Sequence, residues 1–455
     1  MESELRILTP TGMLGYGLVI DGFERGLALK PHAITIDAGS TDSGPQKLGL
    51  GSTTCSRQAY VRDLTVVLEA GHKHGIPIYI SSAGGDGTNA HVDYFLDIAR
   101  EIATAHKLTF NAAAIYSDIP KDLVAGRLQS GRVRPLGPVP ELTASEISAA
   151  TNVVAQMGAE PFLGAMRSNS APSLVIAGRA YDPAPLAAVC MHHGFDPALS
   201  WHMGKIMECG AMCAEPNGRN IMGYMHRDYF ELEPLNPSER CTTASVSAHT
   251  LYEKSHPYFL YGPGGMLDVS ECTFEQITDR RVRVSGSRFV PSQAYTVKLE
   301  GAKRLGYRSI FIGGARDPKF IAQIDPVIER IQQDVRKYFN DISPDDYRIE
   351  FHIYGKNGVM GHLEPRPDLV GKELCIIGEV AATTQEMANA ICGRLRTSIL
   401  HAPYEGKQAT AGNLAMPFTP LEIPLGEVCA FNIYHLMELE SPTECFPIKF
   451  LEIKP

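Results

Sequence analysis

Four apolar runs near the amino terminus constrain the fold more than any other feature of the chain: each is too short for a helix and closes in a loop rich in Gly, Ser, Asp or Arg. They occupy residues 33–37, leading to Gly39-Ser40-Thr41-Asp42, and residues 77–81, leading to Gly84-Gly85-Asp86-Gly87. The other two are residues 112–116, leading to Ser117-Asp118, and residues 173–177, leading to Gly178-Arg179-Ala180-Tyr181-Asp182. Runs of this length, separated by helix-length segments, mark parallel strands buried on both faces, because parallel neighbours need a crossover and the crossover helices cover the sheet. Such sheets bind ligands at the carboxyl ends of their strands. The expected fold is α/β, with a mostly parallel sheet flanked by helices over residues 1–220 and a ligand site at its strand ends.

The periodicity extends this outline. Residues 5–8 read as a first strand, followed by the turn Thr9-Pro10-Thr11-Gly12 and a helix over residues 19–28. Residues 59–74, 89–105, 145–157 and 201–213 carry helical spacing, an alanine-rich helix follows Tyr181-Asp182-Pro183, and residues 127–142 form a basic, proline-rich connection. Residues 221–279 form a connecting, mixed region. Beyond it, a strand is expected at residues 281–290, strands 307–312 and 348–354 flank a long helix over 318–339, and strands 374–380 and 430–436 flank a helix over 385–400. Strand, helix, strand repeated twice is the outline of a split βαβ, ferredoxin-like α+β domain, placed at residues 280–455.

Composition excludes whole classes of function. The 455-residue chain suits two or three domains, and its formal charge of −9 without basic runs argues against nucleic acid as a partner. No apolar stretch approaches the roughly 20 residues that span a bilayer, and Met1-Glu2-Ser3-Glu4-Leu5-Arg6 lacks the basic-then-apolar order of a secretory signal, so no membrane association is expected. Ten cysteines without paired Cys-x-x-Cys spacing point to free thiols in a reducing, cytoplasmic setting. Cys209 and Cys213, four apart, would share a helix face as a metal pair or as two core thiols, whereas His192 and His193, being adjacent, point apart on a helix.

Several stretches carry chemistry. Gly84-Gly85-Asp86-Gly87-Thr88-Asn89 lies between a strand and a helix, where the glycines Gly84, Gly85 and Gly87 let the backbone approach an anion. It resembles the Gly-Gly-Asp-Gly-Thr signature of NAD and diacylglycerol kinases, in which Asp86 would help organise magnesium and phosphate; a structural glycine turn is the other reading. Ser40 and Asp42 sit in a loop dense in hydroxyls and carboxylates that binds a polar ligand or simply makes turns. Arg179 offers a rigid fork to a carboxylate or phosphate unless Asp182, three residues on, holds it in an internal ion pair. In the segment Cys241 to Lys254, His249, Tyr252 and Glu253 would share a face and pass a proton if the segment is helical, or His249 would merely pair with Glu253. Tyr354-Gly355-Lys356-Asn357-Gly358 and Thr410-Ala411-Gly412-Asn413 are glycine-bearing turns, readable as lids or as plain loops.

The succession Thr9-Pro10-Thr11-Gly12, Asp37-Ala38-Gly39-Ser40-Thr41-Asp42, Ser82-Ala83-Gly84-Gly85, Ile176-Ala177-Gly178-Arg179-Ala180-Tyr181-Asp182-Pro183, Glu208-Cys209-Gly210-Ala211, Gly262-Pro263-Gly264-Gly265 and Tyr434-His435-Leu436-Met437-Glu438 resembles, in order and over nearly the whole chain, the acyclic terpene utilisation (AtuA-like) family. The resemblance implies a place in the catabolism of branched carboxylic acids and their CoA thioesters, and a small partner protein or a fused C-terminal domain, which, if needed here, would come from a separate polypeptide. It implies no catalytic set.

The expected function is thus a catabolic enzyme acting on a small branched carboxylic acid or its acyl-CoA, by lyase or hydratase chemistry beside a carbonyl. Arg179 would anchor the acid, the loop amides of residues 84–87 would face developing charge, and Asp86, Asp182 or His249 would move the proton. Alternatives are a non-catalytic metabolite-binding subunit and phosphoryl transfer. No nucleotide, flavin or pyridoxal fingerprint is present, so no cofactor is expected, a divalent metal stays open, and a symmetric homo-oligomer is expected.

Overall fold

The computed structural model describes residues 3–408 and 410–455. Met1 and Glu2, which open the segment read above for a leader, lie outside the described residues, as does Ala409. The chain forms two compact units, one comprising the residues up to Lys303 together with Phe431–Pro455, the other Arg304–Ala430.

The first unit is built on a ten-stranded sheet. Its centre is five strands in the order Leu5–Thr9, Ala33–Asp37, Ile78–Ser81, Leu174–Ala177, Phe110–Ile115, every adjacent pair parallel. Antiparallel strands extend it on both sides, with Ile221–Met225, Tyr229–Pro234, Val282–Ser285 and Thr273–Gln276 beyond the first strand and Ile448–Ile453 beyond the last. Both faces are covered, as the apolar runs require. Ile34, Ile36, Ile78 and Ile80 pack with Val67 and Phe95 of the helices Arg57–His74 and Asn89–His106, while Ile7, Ala33 and Val175 pack with Phe162, Leu186 and Met203 on the other side. Burial of each such side chain stabilises the fold by about 1.5–3 kcal/mol before entropy is subtracted. Because the five central strands are parallel, the loops after Thr9, Asp37, Ser81, Ile115 and Ala177 all emerge at one rim.

In the second unit the order is strand, helices, strand, strand, helix, strand. Its sheet runs Tyr347–Tyr354, Leu374–Ala382, Thr296–Ala315, Ile423–Glu438, which is the split βαβ arrangement that the alternation of residues 307–436 predicts. Ile324–Tyr338 and Gln385–His401 lay Val327, Ile331, Ile391 and Leu395 over Ile349, Ile376 and Val380.

Elsewhere the structure differs from the sequence expectation, each time for a local or long-range reason. Residues 145–157 are not one helix: Ala144–Ala149 is helical, but Asn152–Ala155 is a strand paired with residues 299–302. The basic connection at 127–142 contains the end of the helix Lys121–Gln129 and a strand, Val133–Pro135, paired with residues 435–437. The expected strand at 281–290 breaks at Gly286, whose φ of +85° turns the chain between Val282–Ser285 in the large sheet and Arg288–Pro291 in a three-stranded sheet with Phe259–Gly262 and Gly265–Asp268. The helix expected at 201–213 runs instead over Pro197–Met207, and Gly210, at φ +64°, separates it from a short 3₁₀ turn. Residues 221–279, read as a connection, and the strand at 282–285 supply part of the first unit's sheet, so that unit reaches past residue 220.

Gly87 shows how tightly the rim loops are packed. It lies at φ +66°, and a Cβ there would stand 2.1 Å from the backbone nitrogen of Arg179. Gly87→Ala combines a left-handed side chain with a backbone clash, so a loss of about 2–5 kcal/mol is expected, read as a lowered urea midpoint. An unchanged midpoint would show that the loops yield freely.

Candidate functional site

The loops after residues 37, 81 and 177 meet at the sheet's carboxyl rim. Ser40 Oγ donates to Asp42 Oδ2 at 3.0 Å, and Lys47 Nζ donates to the Ser40 carbonyl at 3.2 Å. A Cβ on Gly39 would lie 3.2 Å from Gly85 Cα, and one on Gly85 would lie 2.1 Å from Thr54 Oγ1 and 3.3 Å from Lys47 Nζ. Gly84, also at positive φ, backs onto the His91 ring. Asp86 is completely buried; its Oδ1 accepts from the Thr88 amide (2.9 Å), Thr88 Oγ1 (3.1 Å) and His91 Nδ1 (2.5 Å), while Oδ2 has no partner. Burial opposes protonation of His91, yet the bond to Asp86 outweighs it and holds the imidazole above its ordinary value. Asp86 thereby ties down the start of the helix Asn89–His106.

Arg179 forms the internal ion pair with Asp182, Nη1 to Oδ1 at 2.9 Å, and a second one with Glu300, Nε to Oε2 at 2.8 Å. The same guanidinium also donates to the Ala180 carbonyl (2.9 Å) and Ser82 Oγ (3.3 Å). With Arg179 1 % and Glu300 0 % exposed, no part of the fork is left for an external anion. Asp182 keeps 21 % of its side chain exposed, which makes it the open member of the pair. Glu300 also accepts from Lys298 at 2.8 Å. Burial works against its charge, but Arg179 and Lys298 outweigh it and hold the carboxyl down at about 2.

The same rim gathers more acids than bases. Asp37, at the end of its strand, accepts from Ser81 Oγ (2.9 Å) and the Gly39 amide (3.1 Å). Burial and then the nearby Asp182 push its carboxyl well up, and burial also raises Asp182 against the pull of Arg179 and Lys205. Lys205 donates to Glu208 at 2.5 Å and to Glu253 at 3.0 Å. Burial raises Glu208 to about 8 despite Lys205, and Glu208 Oε2 has no partner. Five carboxyls (Asp37, Asp182, Glu208, Glu253, Glu300) thus face three cations (Arg179, Lys205, Lys298), and Asp37, Asp182 and Glu208 are held toward the protonated form.

A cleft of about 810 Å³ in the first unit adjoins this network. Lys298 and Tyr181 belong to both: they line the cleft, and the buried, unpartnered Tyr181 hydroxyl lies within the field of Lys205, Glu208 and Asp182. Tyr261, Met266 and Val290 form an apolar wall, and Arg132 and Arg134 add positive charge. The volume falls in the range of small-molecule sites.

The structure brings Ser40, Asp42, Gly84, Gly85, Gly87, Asp86, Arg179 and Asp182 to one rim, and places His249 apart from their loops. The helix carrying His249 is Thr243–Thr250, and Glu253 has φ +56°, so Tyr252 and Glu253 lie beyond its end and the proposed three-residue helix face does not form. His249 stacks on Tyr252, ring centroids 5.2 Å apart, while Glu253 pairs with Lys205 instead. Burial and then Lys205 depress the imidazole's basicity. Cys209 and Cys213 are likewise not a pair, since Cys213 Sγ approaches Cys241 Sγ at 3.9 Å. In the second unit Glu350, His352 and Glu379 place ligand atoms within 4.8 Å of one another, but Arg348 and Arg308 already pair with the two carboxylates, at 2.7 and 2.8 Å.

Sequence reasoning missed Lys47, Lys205, Glu208, Lys298 and Glu300. Lys205 and Glu208 had a signal, an i, i+3 charge pair closing a helix that is otherwise almost wholly apolar or small. Glu300 had none, because its partner Arg179 lies 121 residues away.

The model of the family described as acyclic terpene utilisation family protein AtuA matches residues 52–229 and 233–420. No curated protein and no solved structure matches the chain. Among the described residues no helix is long and apolar enough to cross a membrane.

Glu300→Gln would leave Arg179 as a buried, under-compensated cation, and a loss of about 3–5 kcal/mol is expected at pH 7 from urea titration. Because the native Glu300 value lies below the ordinary carboxyl value, its contribution is present above about pH 4.3 and fades as pH falls toward about 2. The variant should therefore lose less stability than the native chain over that acid window. Equal acid sensitivity would mean the ion pair contributes nothing.

Proposed function

The chain belongs to the acyclic terpene utilisation family, and on that footing we propose that it is a catabolic enzyme that adds or removes water beside the carbonyl of a small branched carboxylic acid or its CoA thioester. The observation that carries this reading is the placement of Asp37 and Asp182 at one rim, each within the field of Arg179. Both are half-buried, both are held above the ordinary carboxyl value, and Arg179 bonds Asp182 at 2.9 Å, which suits them to serve as acid and base in such chemistry.

In the hydration direction, a water O–H breaks and its proton passes to the ionised carboxyl. The oxygen forms a bond to the carbon β to the carbonyl as the α,β double bond opens, and the electron pair left on the α carbon takes a proton from the protonated carboxyl. One molecule of water is consumed and no oxidant or reductant is needed. Asp182 is the partner assigned to the substrate because 21 % of its side chain stays exposed while Arg179, at 2.9 Å, fixes its orientation. The Tyr181 hydroxyl and the Lys298 ammonium are the donors assigned to developing negative charge on the carbonyl oxygen. The excess of carboxyls over cations supports this use, since raised carboxyls gathered at a strand-end rim are suited to proton transfer.

The test is incorporation of ¹⁸O from labelled water into a panel of branched α,β-unsaturated acids and acyl-CoA esters, followed by mass spectrometry. The native chain should yield the mass of one added labelled water, and Asp182→Asn should lower the rate by about 10²–10⁴-fold with the fold intact. Binding of panel members without incorporation would overturn the catalytic reading in favour of a metabolite-binding subunit.

A further inference from the structure

We infer that the 810 Å³ cleft of the first unit receives an amphipathic anion, an apolar acyl chain carrying a negatively charged group, with Arg134 as the receptor of that charge. This deepens the reading above and rests on it only for where the chemistry happens. The binding claim stands on the cleft's own composition.

The cations of the cleft are not equivalent. Arg132 is held by Glu440 at 3.0 Å and Lys298 by Glu300 at 2.8 Å. Arg134 is exposed on the strand Val133–Pro135 and has no ion-pair partner among the described residues. A guanidinium free of partners and facing a cleft is available to a carboxylate or phosphate in a two-pronged contact.

Next to this charge lies an apolar surface left open. Tyr261 is 71 % and Val290 48 % exposed, on the two outer strands of the three-stranded sheet with Met266 between them, and Leu436 lines the same cleft. Covering such surface removes apolar area from water and favours the complex. A chain of a few carbons laid along Tyr261, Met266 and Val290 would gain that free energy while its charged group meets Arg134. A wholly polar ligand would leave the wall wet, and a neutral hydrocarbon would leave Arg134 unused.

The cleft also contains the ring of Tyr181, packed against Gly262 so closely that a Cβ there would fall 2.7 Å from the ring. The hairpin holding Tyr261 and Gly262 is therefore seated on the residue whose hydroxyl belongs to the acid network, which links apolar recognition at the wall to the buried carboxyls.

The negative group has two sources, the carboxylate of a free acid or the phosphates of a thioester carrier. Calorimetry of the full chain with isovalerate, isovaleryl-CoA and coenzyme A separates them. One of the first two is expected to bind, and which one names the source. Arg134→Gln should weaken that binding about tenfold, and Val290→Asp should weaken it at least as much; both positions are exposed, so thermal unfolding should not move. Asp182→Asn should keep the affinity within about threefold even where it abolishes water addition, which separates failure of this inference from failure of the proposed reaction. Absence of binding by both isovalerate and isovaleryl-CoA, affinity unchanged in both Arg134→Gln and Val290→Asp, or coenzyme A binding as tightly as its thioester would each overturn the inference.

Discussion

The rim of the first unit depends on one buried cation. Arg179 sits at the end of a parallel strand with almost no contact with water, and a guanidinium cannot shed its proton to escape the cost of burial. It must be compensated by the protein. Glu300 and Asp182 supply the charge, and Ser82 and the Ala180 carbonyl take up the remaining donors. Through those contacts the loop after residue 177 is locked to the loop after residue 81 and to the strand that carries Lys298 and Glu300. Gly87 packs against the Arg179 backbone, so the glycine loop is shaped around the same residue.

Compensating Arg179 has a chemical consequence. Glu300 is so well paired that it stays ionised, while Asp182 shares the guanidinium from a more open position and feels Asp37 behind it. Lys205 does for Glu208 and Glu253 what Arg179 does for the first pair, and again one cation faces more than one carboxyl. Like charges at short range in a low dielectric cannot all ionise, so the surplus becomes a store of protons. Charge counting at a strand end thus accounts for the raised carboxyls of the rim without a histidine among them.

The central strands and the split βαβ unit were legible from the chain because both are written in local pattern: runs of Val, Ile and Ala bounded by Gly, Ser and Asp, and alternation in residues 347–354 and 374–382. The errors fell where a distant partner or a single left-handed glycine decides. Residues 152–155 look helical until residues 299–302 offer a strand edge, and Gly286 splits one apparent strand between two sheets. Of the site, the loop residues were legible as a group, since parallel strands must end at one rim. The helix face expected to join His249 to Tyr252 and Glu253 does not form because the helix stops at Thr250.

By itself the sequence determined that a parallel sheet with a glycine- and acid-rich rim would form and that Arg179 and Asp182, three residues apart, would both lie at that rim. Spacing and hydrophobic period are local quantities, readable along the chain. Only the tertiary structure decided that Arg179 would be enclosed instead of offered to a ligand, because the enclosing carboxylate, Glu300, lies 121 residues away. The same holds for the cleft: Arg134, Tyr181, Val290 and Leu436 become neighbours only when the strands bearing them are assembled, and the free energy of that assembly comes from packing that no stretch of sequence contains alone.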